Sequence, residues 1–492
     1  MNIYLLVVAG YFLLITLLAI LTKKLAARSA ADYLIAGRNL GVIACAVVVA
    51  SEWLGGMSTI GVSELAFGTA TMQPVLYNIS TAVGMVIIGF TVARYYRQNQ
   101  VHTVSEMLEL LFGYRARAIS AVAFLLAYIT LAFVQLQTCA SVLSAMFHLS
   151  WLNAILLSAL VITVYTYYGG MHALALTGII HVVVMFLGVG VAAGIGLVDA
   201  GGPAALRSEL VTLGAPENLY NPFSGGIGFA WSLILGGVLG GMAGQASIQP
   251  IFAARSASVA RKAAVLSALI IAPFGILVAL LGLMARTGRY FDPQPYLQDP
   301  QMMKMVLPTL MTTSEFIHPL LGGIALAGIL AAILSTVGPV NFAVVTIATK
   351  DIYHGLINKT APDADLIVTA RRLVLLVNAV TIPLAWYGTG AILDTAYISY
   401  GVRAIGAVVI IMGIYLRGWI RVEGVRFAFV GGTVALLANI LLSWAGFPSL
   451  EHTYAALGAG VLFILIGNTY GRLRGRQNVI TDVSAKTDPD KT

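Results

Sequence analysis

The sequence predicts an all-α polytopic membrane protein of about thirteen transmembrane helices. Three observations predict it: too little charge for a body in water, apolar runs of membrane-spanning length, and a one-sided distribution of basic residues between those runs. Of the 492 residues, 59% are hydrophobic and 10% are charged, and mean hydropathy is +0.90. A soluble domain carries about 25% charged residues, because a surface in water needs them. The 51 glycines suit helices that pack through small residues in lipid. A net charge of +8 raises the question of nucleic acid. The basic residues form no single face, however, and fall in short clusters between apolar runs, so no nucleic-acid partner is expected. Cys45 and Cys139 both sit inside apolar segments and read as small buried residues, with neither a disulfide framework nor metal-ligand spacing.

Runs of roughly twenty apolar residues lie near 3–22, 42–67, 72–93, 119–147, 151–169, 173–198, 227–250, 263–285, 320–349, 373–391, 396–416, 427–446 and 453–470. Each reads as a helix, the form in which a single segment satisfies its own backbone polar groups in lipid. The first run is followed by Lys23 and Lys24 and lacks a positive start and a small-residue cleavage site. It therefore reads as a retained span and not a cleaved signal. Loop charge tests the count independently. With the N-terminus outside, the cytoplasmic loops and tail hold 23 of the 28 Lys and Arg residues, the outer loops hold Arg207, Arg286, Arg289 and Lys304, and Arg403 lies within a span. That bias predicts N-out and C-in. Residues 1–470 then form one transmembrane domain, and 471–492 a polar cytoplasmic tail.

No Walker loop, kinase module or nucleotide fingerprint occurs in the sequence, which argues against ATP as an energy source and for a secondary carrier. In such carriers the binding site lies near the midplane, where a helix is broken. The second run, with Gly55–Gly56 beside Glu52, and the seventh, with five glycines before Pro250, are the breakable ones. Each glycine costs a helix about 1 kcal/mol relative to alanine. The two stand five helices apart, as corresponding elements of a duplicated five-helix unit would. Glycine-rich packing without a break is the alternative.

Several stretches resemble the sodium:solute symporter family: ADYLIAGRNLG before the second run, YYGGMHALALTGIIHVVVMFLG from Tyr167, QPIFAARSASVARKAA from Gln249, and ILAAILSTVGPVNFAVVTIATKDIY from Ile329 to Tyr353. The resemblance implies a leucine-transporter-type inverted-repeat fold, with repeat one over about 42–198 and repeat two over about 227–416. It also implies one sodium site between the second and ninth runs, held by the carbonyls of Ala50, Trp53 and Ala332 and the hydroxyls of Ser335 and Thr336. Sodium is a hard cation suited to neutral oxygens. Ordinary bonding of the two hydroxyls to a carbonyl one turn earlier is the alternative. Two departures matter. Thr177–Gly178 replaces the Thr-Asp pair common in relatives, and His181 stands where Gln is common. Losing that carboxylate favours a single sodium, while His181 either packs through a hydrogen bond or relays a proton.

Ionisable groups at membrane depth cost about 2.5–3.5 kcal/mol or more and are usually functional. Glu52 and Arg403, together with Gln135 and Gln245, are the candidate solute contacts. Glu52 and Arg403 either pair with each other or bind the solute. Gln135 and Gln137 cannot share one helix face, and Gln135 is ranked first.

The expected function is sodium-coupled symport of a small polar organic solute (an amino acid, a carboxylate or a sugar-like molecule) by alternating access in a bacterial inner-membrane-type cell membrane. The expected partners are the solute and the lipid bilayer, with no obligatory protein partner. The rivals are a proton-coupled symporter of the same fold and a transporter-like sensor module. An enzyme is not expected, because the spans show no nucleophile–base constellation.

Overall fold

The computed structural model describes residues 3–26, 39–416 and 418–475. The chain starts with α1 (Ile3–Ala26), then α2 (Val42–Trp53) and α3 (Val62–Thr69), which flank a π-helical turn Met57–Gly61. It continues through α4 (Val75–Phe90), α5 (Ala93–Gln98), α6 (Val104–Phe112), α7 (Tyr114–Phe147), α8 (Trp151–Asp199) and α9 (Pro203–Thr212). The second half opens with α10 (Ile227–Met242), α11 (Gln245–Phe252) and α12 (Ala257–Arg286). The short α13 (Gln294–Gln298), α14 (Pro300–Met303) and α15 (Val306–Thr312) lead into α16 (Pro319–Thr346), which a π-helical stretch prolongs over Ile347–Ile357. The chain ends with α17 (Asp363–Tyr387), α18 (Ile392–Tyr415), α19 (Val422–Trp444) and α20 (His452–Leu473).

Among the described residues, nine helices are long and apolar enough to cross a membrane, or ten when the bent pair Val42–Trp53 and Met57–Thr69 counts as one span. Of the remaining expected runs, 3–22 falls on α1, 72–93 on the shorter apolar α4 and 151–169 on the first part of α8. The runs 151–169 and 173–198 share α8, which is 49 residues long. A straight helix of that length would measure ~74 Å, more than twice the hydrocarbon thickness. That length accommodates both expected runs in succession. Most of the tail expected over 471–492 lies outside the described residues, as does most of the stretch ADYLIAGRNLG.

The breaks form at glycine-rich stretches that weaken the helix, Gly55–Gly56 in the second run and Gly240, Gly241 and Gly244 in the seventh. The two halves of the second run meet at 55°. The seventh stops at Met242 and restarts at Gln245. These broken helices occupy the centre: α2 packs on α8, α11, α12 and α16, while α4 packs on α10 and α12, and α18 on α7 and α10.

Segments that the charge pattern assigns to one side of the membrane meet one another. At one end, Leu40 N donates to Ala253 O at 3.0 Å and Arg97 Nε to Ala254 O at 2.6 Å. At the other, Met72 N donates to Leu219 O at 2.8 Å, Gln73 Nε2 to Gly226 O at 2.9 Å and Arg289 Nε to Glu209 Oε1 at 2.7 Å.

The first end also carries a charge cluster centred on Arg117. Its Nη1 donates to Glu109 Oε2 at 2.7 Å, its Nη2 to Glu106 Oε1 at 3.2 Å and its Nε to Asp351 Oδ1 at 3.0 Å. The start of α6 makes Glu106 available. Thr103 Oγ1 accepts from Glu106 N at 3.0 Å, and Glu106 Oε2 accepts from His102 N at 2.6 Å, in the manner of a capping box.

Burial alone would raise the Glu106 carboxyl, but hydrogen bonds from His102 and the charges of His102 and Arg117 outweigh it and hold the group at about 2. A depressed carboxyl stabilises the fold above its unfolded value of about 4.3, and that contribution disappears as pH falls through about 2. Glu106→Gln is therefore expected to lower stability at pH 7 by ~1–3 kcal/mol. In thermal unfolding of the detergent-purified protein, the gap to the parent should hold to about pH 5 and narrow below. Equal melting at pH 7 would contradict this account.

Candidate functional site

The first break leaves carbonyls without helical partners. Ala50 O still accepts from Leu54 N at 2.9 Å. The next two carbonyls, of Ser51 and Glu52, would take the amides of Gly55 and Gly56, and α2 ends before reaching them. Two adjacent hydroxyls on α16 turn toward them instead. Ser335 Oγ lies 2.6 Å from Ser51 O and 2.7 Å from Ala332 O. Thr336 Oγ1 lies 2.6 Å from Glu52 O and 3.3 Å from Ser51 O. Each hydroxyl has one hydrogen and two lone pairs. Three carbonyl and two hydroxyl oxygens thus converge with two hydrogens among them, an electron-rich cluster of neutral oxygens. Among the described residues, no group of three or more His, Cys, Asp or Glu side chains could hold a metal ion.

Close approach of the two helices depends on Gly55, where an added Cβ would run into the Thr336 side chain. Of the five expected ligands, Ala332, Ser335 and Thr336 come together here. The main-chain partners of the hydroxyls are Ser51 and Glu52, which lie between the expected Ala50 and Trp53. Adjacent hydroxyls were legible in the sequence. Which carbonyls they meet depends on where the helix stops.

Beside this cluster three buried polar atoms make no hydrogen bond: Glu52 Oε2, Trp53 Nε1 and Gln135 Nε2. Buried polar groups are nearly always paired, so an acceptor and two donors around the two breaks are open to partners from elsewhere. Gln135 reaches the break from α7, its Oε1 abutting the place where a Cβ of Gly56 would be. Gln137 points away: its Nε2 donates to Ala385 O at 2.9 Å and Gly388 O at 2.7 Å, and Lys304 Nζ donates to its Oε1 at 3.5 Å. The two glutamines use different faces of α7, as their spacing requires.

Arg403, 1% exposed, faces the second break. Its Nε donates to Gly240 O at 2.8 Å and its Nη2 to Ser247 Oγ at 3.3 Å. The Ser247 hydroxyl and the Arg403 guanidinium are also the polar neighbours of Glu52. Aromatic rings surround these groups. Arg403 Cζ lies 5.4 Å from the Trp53 ring, 5.5 Å from Tyr128 and 4.8 Å from Tyr400. Tyr77 and Tyr400 share a hydroxyl–hydroxyl bond of 2.8 Å. Sequence reasoning did not single out Trp53's indole, Ser247, Tyr77 or Tyr400. For Trp53, Ser247 and Tyr400 the available signal was nearness in sequence to Glu52, Gln245 and Arg403, whereas Tyr77 stands near none of the suspected residues.

Gln245 sits apart from the other solute candidates. Its Oε1 accepts from Val104 N at 2.9 Å and its Nε2 donates to His102 O at 3.0 Å, which ties the second broken helix to the start of α6. His181 is buried, and its Nδ1 lies 2.5 Å from Tyr11 Oη, a hydrogen bond between α8 and α1. Gly178 stands against α2, where its Cβ would meet Ser51 Oγ at 3.3 Å.

Residues 33–432 match the sodium:solute symporter family. A sodium/proline symporter of Staphylococcus aureus is 25% identical over 466 residues, covering 89% of this chain and 85% of that protein, and the same-named protein of strain RF122 is 24% identical over the same length. Among solved structures, a Na+-coupled sialic acid symporter in a substrate-bound outward-open state aligns with a TM-score of 0.77 at 16% identity, covering 96% of this chain and 98% of that one. Mhp1, a nucleobase-cation-symport-1 family transporter in a closed conformation with bromovinylhydantoin bound, aligns with a TM-score of 0.60 at 13% identity, covering 93% and 98%.

The tight contact at the first break predicts an asymmetry between glycines. Gly55→Ala should destabilise the protein by ~1–3 kcal/mol through overpacking. Gly10→Ala, where an added Cβ meets nothing within 4 Å, should melt within a degree or two of the parent. Comparable melting of the two variants would mean that α2 and α16 are not in close contact.

Proposed function

The chain belongs to the sodium:solute symporter family, and from that premise we propose that it imports a small polar organic solute, driven by one sodium ion per cycle. The observation that carries the reading is the cluster of five neutral oxygens sharing two hydrogens between α2 and α16. A sodium ion entering there would replace the hydrogen bonds that the two hydroxyls now make, accepting lone pairs from Ser335, Thr336 and the nearby carbonyls. Energetically one ion suffices. Moving a charge down 100 mV releases about 2.3 kcal/mol and a tenfold gradient adds about 1.4 kcal/mol. Together these support accumulation of a neutral solute by several hundred-fold.

The solute reading rests on the three unpartnered atoms. Glu52 Oε2 offers an acceptor, and Trp53 Nε1 and Gln135 Nε2 offer donors. A molecule with both kinds of group in a compact frame fits them, an amino acid above all: its ammonium would face Glu52 and its carboxylate the two donors. The sodium/proline symporters among the relatives make the same class the natural one to try first. Transport would follow from rocking of the helices around the two breaks, repeat one over about 42–198 moving against repeat two over about 227–416. The basic loops support an orientation with the N-terminus outside and the C-terminus in the cytoplasm, and the bacterial relatives support an inner membrane as its location.

Two measurements test this. Thermal stability in sodium chloride against choline chloride at equal ionic strength should show a saturable sodium-specific gain, of about 2.7 kcal/mol at a hundred times the dissociation constant. Ser335→Ala/Thr336→Ala should lose it. No sodium-specific gain in the parent protein would transfer the weight to proton coupling, or to a sensor that binds without transporting. Orientation is tested in a variant lacking Cys45 and Cys139. Leu213→Cys should react with an impermeant maleimide from outside intact cells, and Thr360→Cys only after permeabilisation. The opposite pattern would invert the topology.

A further inference from the structure

The second break raises the same backbone problem as the first, and a different side chain answers it. In an unbroken helix Gly240 O would accept from Gly244 N. That amide instead donates to Gly241 O at 3.2 Å, and the helix ends. An unpartnered carbonyl at membrane depth costs several kcal/mol. Arg403 Nε occupies the vacant position, 2.8 Å from Gly240 O. The same guanidinium reaches across the gap, where its Nη2 meets Ser247 Oγ at 3.3 Å in the first turn of α11. One planar group thus holds a point before the break and a point after it. Gly244, between them, has no room for a side chain, since a Cβ there would run into both Arg403 and the Ser247 hydroxyl. The first turn of α11 is held from a second direction, with Ala246 N donating to Tyr128 Oη at 3.0 Å.

The geometry points to Arg403 as a positioning residue that clamps the two halves of the broken seventh span, with Ser247 as its anchor on α11, and not as a ligand of the transported solute. Its charge is compensated inside the protein. The rings of Trp53, Tyr128 and Tyr400 stand within 5.5 Å of Cζ, where cation–π attraction takes the place of hydration. The Glu52 side chain is its acidic neighbour. A lysine could not do this work: an ammonium is a point donor, whereas a guanidinium is a rigid fork able to meet two acceptors several ångströms apart. The clamp explains why a cation is kept at membrane depth next to a solute site. It leaves Glu52, Trp53 and Gln135 to read the solute, so recognition does not depend on a carboxylate paired with arginine.

The test needs no solute and is independent of whether sodium binds. Hydrogen–deuterium exchange by mass spectrometry on the detergent-purified full chain reads peptides over 240–252, with α12 as an internal reference. Arg403→Lys should speed exchange over 240–252 at least tenfold and leave α12 within twofold of the parent. Ser247→Ala should give a smaller increase in the same peptides, and Ser247→Thr, which keeps the hydroxyl, should restore parental rates. Parental rates over 240–252 in Arg403→Lys or in Ser247→Ala would overturn the clamp, the first result being what a solute ligand would give. A rise of equal size in α12 would overturn it as well, because general loosening is not clamping. The sodium-dependent stability gain is measured on the same samples. Its absence from the parent protein would count against sodium coupling and leave the exchange result standing.

Discussion

A polypeptide in lipid has to satisfy every backbone amide and carbonyl from within the protein, and this molecule breaks two of its central helices. Everything around the centre follows from how the freed groups find partners. At the first break the carbonyls of Ser51 and Glu52 meet hydroxyls of Ser335 and Thr336. At the second the carbonyl of Gly240 meets the guanidinium of Arg403. The choice of partner sets the character of each break. Hydroxyl–carbonyl bonds are neutral, individually worth about 1 kcal/mol, and readily exchanged for contacts with a small cation. A desolvated guanidinium engaged with a carbonyl, a hydroxyl and three rings is not easily displaced. Under the proposed reading the first break is the one to be remade and the second the one to be held.

Glu52 belongs to both regions. Its main-chain oxygen accepts from Thr336 and its side chain turns toward Ser247 and Arg403, leaving Oε2 unpartnered. Any ion that orders the Ser51–Glu52 turn also orients that carboxylate. Under the proposed mechanism this gives a short physical route by which sodium raises affinity for the solute. By linkage the solute would then raise affinity for sodium to the same degree. No long chain of contacts is required, since backbone and side chain of a single residue stand in the two sites.

The two ends of the molecule differ in kind. Around Arg117 three carboxylates converge from α6 and from the stretch after α16, and Gln245 adds a tie from the second broken helix to the start of α6. The opposite end is joined by bonds such as Met72 to Leu219 and Gln73 to Gly226, with the exposed Arg289–Glu209 pair as a charged contact. Rocking about the central breaks would have to open one set while preserving the other. Charge pairs that are half-buried, like those of Arg117, hold more strongly than exposed ones.

Much of this was legible in the linear sequence because the bilayer imposes length, polarity and charge rules on each segment separately. Each of the thirteen apolar runs falls on helix. The two glycine-rich runs are the broken ones. Gln135 and Gln137 diverge because a helix puts residues two apart on different faces. The Ser335–Thr336 pair lies against the first break, as the family resemblance implied. What the sequence could not decide concerns the meeting of distant segments. The same amide chemistry gives Gln135 a free group near the break and leaves Gln245 occupied with the backbone of His102 and Val104. Nothing in either local stretch distinguishes them. The hydroxyls meet Ser51 and Glu52 because the helix ends at Trp53. Arg403 spans the second break because α18 packs against α10. Periodicity and composition are properties of one helix at a time, whereas a site is made by several helices, and only their packing determines which polar atoms are paired and which are not.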